Sequence, residues 1–263
     1  MANYFFPKIK NSFGNELINF FKKEKLDQFV NPLKESDKNS KYLKNNLLKP
    51  ILKDLYFIYN VIIKTKRISA LEFGCGFSSE VICIALNKNK IKYQKKTRDL
   101  KINNQFKNII IENQKKYLKI FKKRSHYLKN FEINYAECVY TNFNGTYATV
   151  YKNLPILSPD FIYLDGPDPN SVKKKNKDVE LNTAHGNLFP LSCDILRIEY
   201  FLIPGTIIII DGRGQNAQFL RDNFKRNWAY KYYNDFDMHF FILTNNALGT
   251  VNRKQLEFFN NHN

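Results

Sequence analysis

The stretch LEFGCGFSSE, residues 71–80, decides the fold. It joins an apolar run, ISALEF, to a helix-compatible run, SSEVICIAL, through a tight Gly-Cys-Gly. Strand, glycine turn and helix is the layout in which backbone amides cradle a nucleotide. On its N-terminal side, residues 1–49 are polar, with Leu17, Ile18, Phe20, Phe21, Leu26 and Phe29 at helix-like spacing. They predict an N-terminal helical cap, broken at Asn31-Pro32. Pro50 then opens a second apolar helix, ILKDLYFIYNVIIK.

On its C-terminal side the chain alternates between strand and helix patterns. The polar, Lys/Asn-rich segment 87–107 reads as a surface insertion. KNIIIE is the second strand, NQKKYLKIFKKRSHYLKN the second helix and FEINYAECV the third strand. Asn144-Gly145 marks a hairpin turn before YATVY. SPDFIYLDGP holds the fourth strand, and FPLSCDILRIEYFL is a helix with Pro190 near its start. PGTIIIIDGRG holds the fifth strand, whose isoleucines suit burial on both faces. QNAQFLRDNF is a helix, and WAYKYYNDFDMHFFILTN gives two last strands around an Asn-Asp turn. This order predicts an α/β fold: a doubly wound, mostly parallel seven-stranded sheet with an antiparallel C-terminal hairpin and an N-terminal helical extension. The expected division is a cap over 1–49 and a ligand-binding domain over 50–263.

With 43% hydrophobic and 15% aromatic residues, the chain has enough apolar material for a packed core and is not a disordered polymer. No apolar run approaches the ~20 residues that span a bilayer. MANYFFPKIK lacks the apolar segment and small-residue cleavage site of a secretory signal. The four cysteines form no CxxC pair and read as reduced thiols. A cytoplasmic protein is expected. The net charge of +18 suits a polyanionic partner such as nucleic acid. The lysines are spread through KKEK, KNKNKIKYQKK, KIFKKR and KKKNK, beside heavy use of Asn and Ile. That spread favours a compositional origin.

Doubly wound sheets bind ligands beyond the carboxyl ends of their strands. Those ends carry Glu72–Gly76, Glu112, Glu137, Asp165–Asp168 and Asp211–Arg213. The dinucleotide fingerprint fits poorly: Ser79 replaces its third glycine, and Glu112 lies well beyond the usual ~20-residue spacing. An acidic mouth suits a ligand with ammonium and sulfonium groups and free ribose hydroxyls, which describes S-adenosylmethionine. A carboxylate can accept both ribose hydroxyls, and the glycines admit close backbone approach.

LEFGCG resembles motif I of the class I S-adenosylmethionine-dependent methyltransferases, and the resemblance covers about residues 50–245. It implies a methyltransferase domain with cofactor contacts at Glu72, Phe73, Gly74, Cys75, Gly76 and Ser78. It further implies a ribose-binding acid at Glu112, an adenine-proximal acid at Glu137, and Asp165 facing the methyl-transfer site. FGCGFSS, LDGP and the DGR of IIDGR are together similar to small-molecule or glycan O-methyltransferases, which implies a hydroxyl acceptor. A general base would assist such a transfer, with Asp165, Asp168, His185 and Asp211 as candidates. His185 lies in the long segment after the fourth strand, where a lid would sit. Metal-dependent relatives place a divalent ion on the acids ending strands four and five, here Asp165 and Asp211, with an adjacent Asp or Asn ligand. Gly212 stands at that adjacent position, so a metal is not favoured. Arg213 is a candidate for meeting an acidic or phosphorylated acceptor. Ser192 and Asp194 are candidate helix caps that could also face the acceptor. The rival readings are a nucleic-acid methyltransferase, a non-catalytic binding module on the same fold and, last, a dehydrogenase.

Overall fold

The computed structural model describes residues 6–34, 49–173, 185 and 188–260. The seven strands of the main sheet are β1 (Ala70–Phe73), β2 (Asn108–Glu112), β3 (Phe131–Tyr135), β6 (Phe161–Leu164), β7 (Ile207–Asp211), β8 (Trp228–Tyr233) and β9 (Met238–Leu243). Their spatial order is β3-β2-β1-β6-β7-β9-β8. The five strands from β3 to β7 pair in parallel, and β9 runs antiparallel to both β7 and β8. This is the expected doubly wound, mostly parallel seven-stranded sheet with its antiparallel C-terminal hairpin.

Strand residues alternate between two apolar cores because the side-chain period of a strand is two. Ala70, Phe161, Tyr163, Ile207, Ile209 and Phe240 face one side. There they meet α1 (Asn15–Lys23), α2 (Leu52–Lys64) and α3 (Phe77–Thr97). Leu71, Phe73, Ile162, Leu164, Ile208 and Ile210 face the other. There they meet α5 (Asp194–Ile198), α6 (Gly214–Asn223) and a separate hairpin, β4 (Cys138–Phe143) with β5 (Thr146–Tyr151). Burial on both faces explains why NIIIE and IIIID read as continuous apolar runs. Leu17, Phe21, Leu26 and Phe29 of the N-terminal segment share the first core, so 6–34 pack into the sheet's own hydrophobic layer. The parts of the expected cap at 1–5 and 35–48 lie outside the described residues.

Three local expectations change, and one element is new. Segment 87–107 is no insertion: α3 continues to Thr97. Its polar Asn89 is buried and donates to the carbonyls of Ile62 at 3.1 Å and Arg67 at 2.7 Å, so a core position carries a polar letter. FEINYAECV is two strands, because the chain leaves the main sheet after Tyr135 and enters the hairpin at Cys138. The turn of that hairpin is as expected, with Asn144 and Gly145 both at positive φ. The helix after Pro190 begins only at Asp194. Finally, α7 (Thr250–Asn260) closes the described chain. Its Phe259 ring stacks against the guanidinium of Arg67 at 3.9 Å.

Candidate active site

The chain reverses direction across the sheet between β1 and β6, and the ends of β2, β1, β6 and β7 open there into a cavity of about 290 Å³. This is where doubly wound sheets bind ligands. Its floor is the glycine turn after β1. Gly74 sits at φ +110, a conformation that L side chains rarely adopt. A Cβ on Gly166, in the turn after β6, would lie 2.8 Å from Tyr151 Oη and 3.2 Å from the Gly74 nitrogen. The two turns are therefore pressed together, backbone to backbone. The Tyr151 hydroxyl, fully buried and lining the cavity, has no hydrogen-bond partner among the described residues. Buried polar groups are normally satisfied, so this hydroxyl is a donor left for a ligand.

Glu72 and Phe73 stand beneath the turn. Both are fully buried and neither lines the cavity. Glu72 accepts from Ser78 Oγ at 2.6 Å and from Asn108 Nδ2 at 2.7 Å. It thereby ties the start of α3 to β2, and it acts on a ligand only through Ser78 and the turn. Burial pushes its carboxyl up to about 7, against the pull of the Ser78 and Asn108 hydrogen bonds. Cys75, Gly76 and Ser78 line the cavity. The Cys75 thiol is raised by burial, which keeps it un-ionised and unsuited to act as a nucleophile. The Gly76 N–H donates to Ser79 Oγ at 3.1 Å, so the residue standing where a dinucleotide site has its third glycine serves instead as a helix cap.

Glu112 ends β2 and lines the cavity. Burial lifts its carboxyl to about 7, with the Asp168 charge adding to the rise and the Gln114 and Asn113 N–H groups opposing it. Gln114 Nε2 donates to Asp168 Oδ2 at 2.9 Å, and Asn113 Nδ2 to the Ser171 carbonyl at 2.8 Å. These bonds join the end of β2 to the turn beyond β6 and wall one side of the site. Glu137 is elsewhere: it does not line the cavity and pairs with Lys152 at 3.0 Å and with Lys173. Hydrogen bonds from those lysines hold its carboxyl down to about 2. The chain turns away into β4 just where an adenine-side acid would have to point inward.

Asp165 and Asp211, at the ends of β6 and β7, both line the cavity. The Asp165 side chain lines the cavity half exposed; desolvation, then the charge of Asp211, raises its carboxyl, while Arg213, whose Nε lies 3.7 Å from Oδ1, pulls the other way. Asp211 is raised by burial and accepts from the Tyr163 hydroxyl at 2.7 Å, which pulls the other way. Arg213 is not presented to an acceptor. It is buried, donating to the Asp165 carbonyl at 2.6 Å and the Pro167 carbonyl at 3.0 Å, with its Nε 3.7 Å from Asp165 Oδ1 and Phe189 stacked on it at 4.6 Å. It braces the turn that carries Asp165. His185 is exposed and does not line the cavity, and most of the segment before it lies outside the described residues. Ser192 and Asp194 bond each other at 3.1 Å, away from the cavity. Among the described residues no group of three or more His, Cys, Asp or Glu side chains is arranged to hold a metal ion.

Besides Tyr151 and Tyr163, two further residues escaped the sequence reading. Asp54 on α2 lines the cavity, and its carboxyl is pushed up to about 8 by burial and then by the charges of Asp211 and Asp237. Arg124 of α4 (Lys115–Arg124) also lines it, bonding the Gly76 carbonyl at 2.8 Å and pairing with Glu80. Both come from helices, and only the packing of those helices against the strand ends brings them in. Among the described residues no helix is long and apolar enough to cross a membrane.

No protein-family model and no curated protein matches this chain. Among solved structures it is similar to the O-methyltransferase from Bacillus cereus in complex with SAH. The identity is 14% and the TM-score 0.41, over 84% of this chain and 97% of that one.

Proposed function

We propose that this protein transfers a methyl group from S-adenosylmethionine to a hydroxyl of a small molecule or sugar. The observation that carries the reading is the acid-lined cavity over the apposed turns of Gly74 and Gly166, with the unpartnered Tyr151 hydroxyl inside it. That donor set fits the cofactor. Glu112 is the acceptor for ribose hydroxyls, the turn at Gly74–Gly76 admits close backbone approach, and Asp165 offers a carboxylate to a positive charge. When bound, the cofactor supplies a methyl group activated by its sulfonium.

The chain's own part is to align the acceptor, exclude water and receive a proton. Asp165 and Asp211 line the same cavity, and the charge of Asp211 raises the proton affinity of Asp165. One of the pair is therefore ready to take the acceptor's hydroxyl proton at a carboxylate oxygen. Tyr163, bonded to Asp211 Oδ2, fixes which oxygen stays open. Arg213 holds the Asp165 backbone in place.

Calorimetric titration tests the reading. S-adenosylhomocysteine is expected to bind and NAD is not; NAD binding without S-adenosylhomocysteine binding overturns it. Glu112→Gln is expected to weaken S-adenosylhomocysteine by about tenfold, the size of one lost charged hydrogen bond.

A nucleic-acid acceptor is the second reading. It is favoured by the outer face of α4, where Lys115, Lys116, Lys119, Lys122 and Lys123 are exposed and no acid intervenes. The acids of the cavity repel phosphate, which puts this reading behind the first. Steep salt-dependent binding of RNA or DNA would support it.

A further inference from the structure

We propose that Arg124 is a positioning residue: it holds the Gly76 peptide, and with it the first N–H of α3, in the orientation that receives S-adenosylmethionine. This rests on the methyl-transfer reading, which makes the Gly74–Gly76 turn the cofactor cradle. Arg124 ends α4 and lines the cavity beside Gly76, Phe77, Ile120 and Phe121. An arginine at the end of a helix can turn back to its own last carbonyls. The Arg124 guanidinium reaches across to the start of α3 instead, in three directions. Its Nε pairs with Glu80, its Nη2 donates to the Gly76 carbonyl at 2.8 Å, and the planar group lies over the Phe77 ring at 3.8 Å. A rigid planar fork serves all three at once, which the point charge of a lysine ammonium does not.

These contacts act on the turn itself as well as on the packing of two helices. The Gly76 N–H donates to Ser79 Oγ at 3.1 Å and the Gly76 carbonyl accepts from Arg124, so the peptide planes on both sides of Gly76 are held. In a trans peptide the N–H points opposite to the carbonyl of the same plane. Fixing the Gly76 carbonyl therefore fixes the Phe77 N–H, one of the first four of α3, which have no partner within the helix. Gly76 has no side chain by which the turn could anchor itself, so the clamp has to come from another element. The clamp is in turn held by Glu80, a buried carboxylate that must be paired. One Glu80 oxygen takes Arg124, and the other accepts from the Tyr127 hydroxyl at 3.2 Å. Tyr127 Oη accepts from Gln28 Nε2 at 3.3 Å. The N-terminal segment thereby reaches the cradle through Tyr127, Glu80 and Arg124.

The test is calorimetry with S-adenosylhomocysteine, together with thermal melts, on the full-length wild type, Arg124→Met, Arg124→Lys and the double variant Glu80→Met/Arg124→Met. Arg124→Met leaves Glu80 buried and unpaired, so it is expected to lower both Tm and affinity. The double variant removes both charges, and apolar replacement of a buried ion pair is close to neutral for stability. Its Tm is expected to return toward wild type while its affinity stays about tenfold weaker, the size of one lost charged hydrogen bond. Arg124→Lys keeps a cation beside Glu80 but not the fork. It is expected to melt near wild type and to bind about threefold more weakly, a partial rescue of Arg124→Met. A purely structural Arg124 predicts that affinity recovers together with Tm. Wild-type affinity in the double variant or in Arg124→Lys therefore overturns the proposal, and Arg124→Lys decides alone if the double variant does not fold. Failure of the wild-type chain to bind S-adenosylhomocysteine is a different result: it overturns the methyl-transfer reading and the proposal with it.

Discussion

Gly166→Ala is expected to weaken S-adenosylhomocysteine binding by about ten- to a hundredfold, the range set by ~1–3 kcal/mol of overpacking. The new methyl would lie 2.8 Å from Tyr151 Oη and 3.2 Å from the Gly74 nitrogen. Neither neighbour is a flexible chain end: one is a buried phenol, the other is backbone. The turn after β6 must therefore back away from the turn after β1, and the cradle between them opens. Tyr151→Phe separates the two contacts. Alone, it removes a buried hydroxyl that has no partner among the described residues, so it is expected to hold or raise the stability of the ligand-free protein. Combined with Gly166→Ala it removes the tighter clash, and part of the lost affinity is expected to return. Calorimetry on the three variants, with thermal melts to confirm folding, reads both effects. Wild-type affinity in Gly166→Ala would show that the apposed turns are not the cofactor cradle.

The strand ends were the most legible part of this chain. A parallel strand buried on both faces announces itself as a short β-branched run, and Glu112, Asp165 and Asp211 follow such runs directly. Those three residues line the cavity together. Glu137 shows the limit of that logic. It follows a strand-like run in sequence, but its run breaks between Tyr135 and Cys138, and one broken pairing sends the acid to surface lysines. Glu72 shows another. Its neighbours in the glycine turn face the cavity, while strand alternation turns its own side chain under α3. Asp54 and Arg124 carry no local signal, because a polar residue on an amphipathic helix normally marks the solvent face. Only the way α2 and α4 close over the strand ends turns those two positions inward. Asn89 conceals a core position for the opposite reason: free backbone carbonyls of α2 and of the following turn satisfy its amide.

The ligand-free protein is expected to lose stability as pH rises from 5.5 to 8. Burial raises the carboxyls of Glu72, Glu112 and Asp194 to about 7, of Asp160 to about 6 and of Asp54 to about 8. In each case the folded chain binds its proton more tightly than the unfolded chain does. Between the ordinary carboxyl range and these raised values, the folded state holds more protons. Stability then falls with rising pH and levels off above the highest folded value. Glu137 runs the other way, but its window lies below the ordinary value of 4.5 and it does not oppose the trend here. For Glu72 alone, with its carboxyl raised from 4.5 to about 7, the part lost between pH 5.5 and 8 is about 2 kcal/mol. In a chain of this size that is a drop of about 4–8 °C in Tm. Thermal melts at pH 5.5 and 8 check the trend, and Glu72→Gln checks its source by flattening the slope and raising Tm at pH 8. A Tm that climbs between those two pH values, or a slope untouched in Glu72→Gln, would sink the account. S-adenosylmethionine brings positive charge to the same acids, so its stabilising effect is expected to be larger at pH 8, where the ligand-free site is most strained, than at pH 5.5.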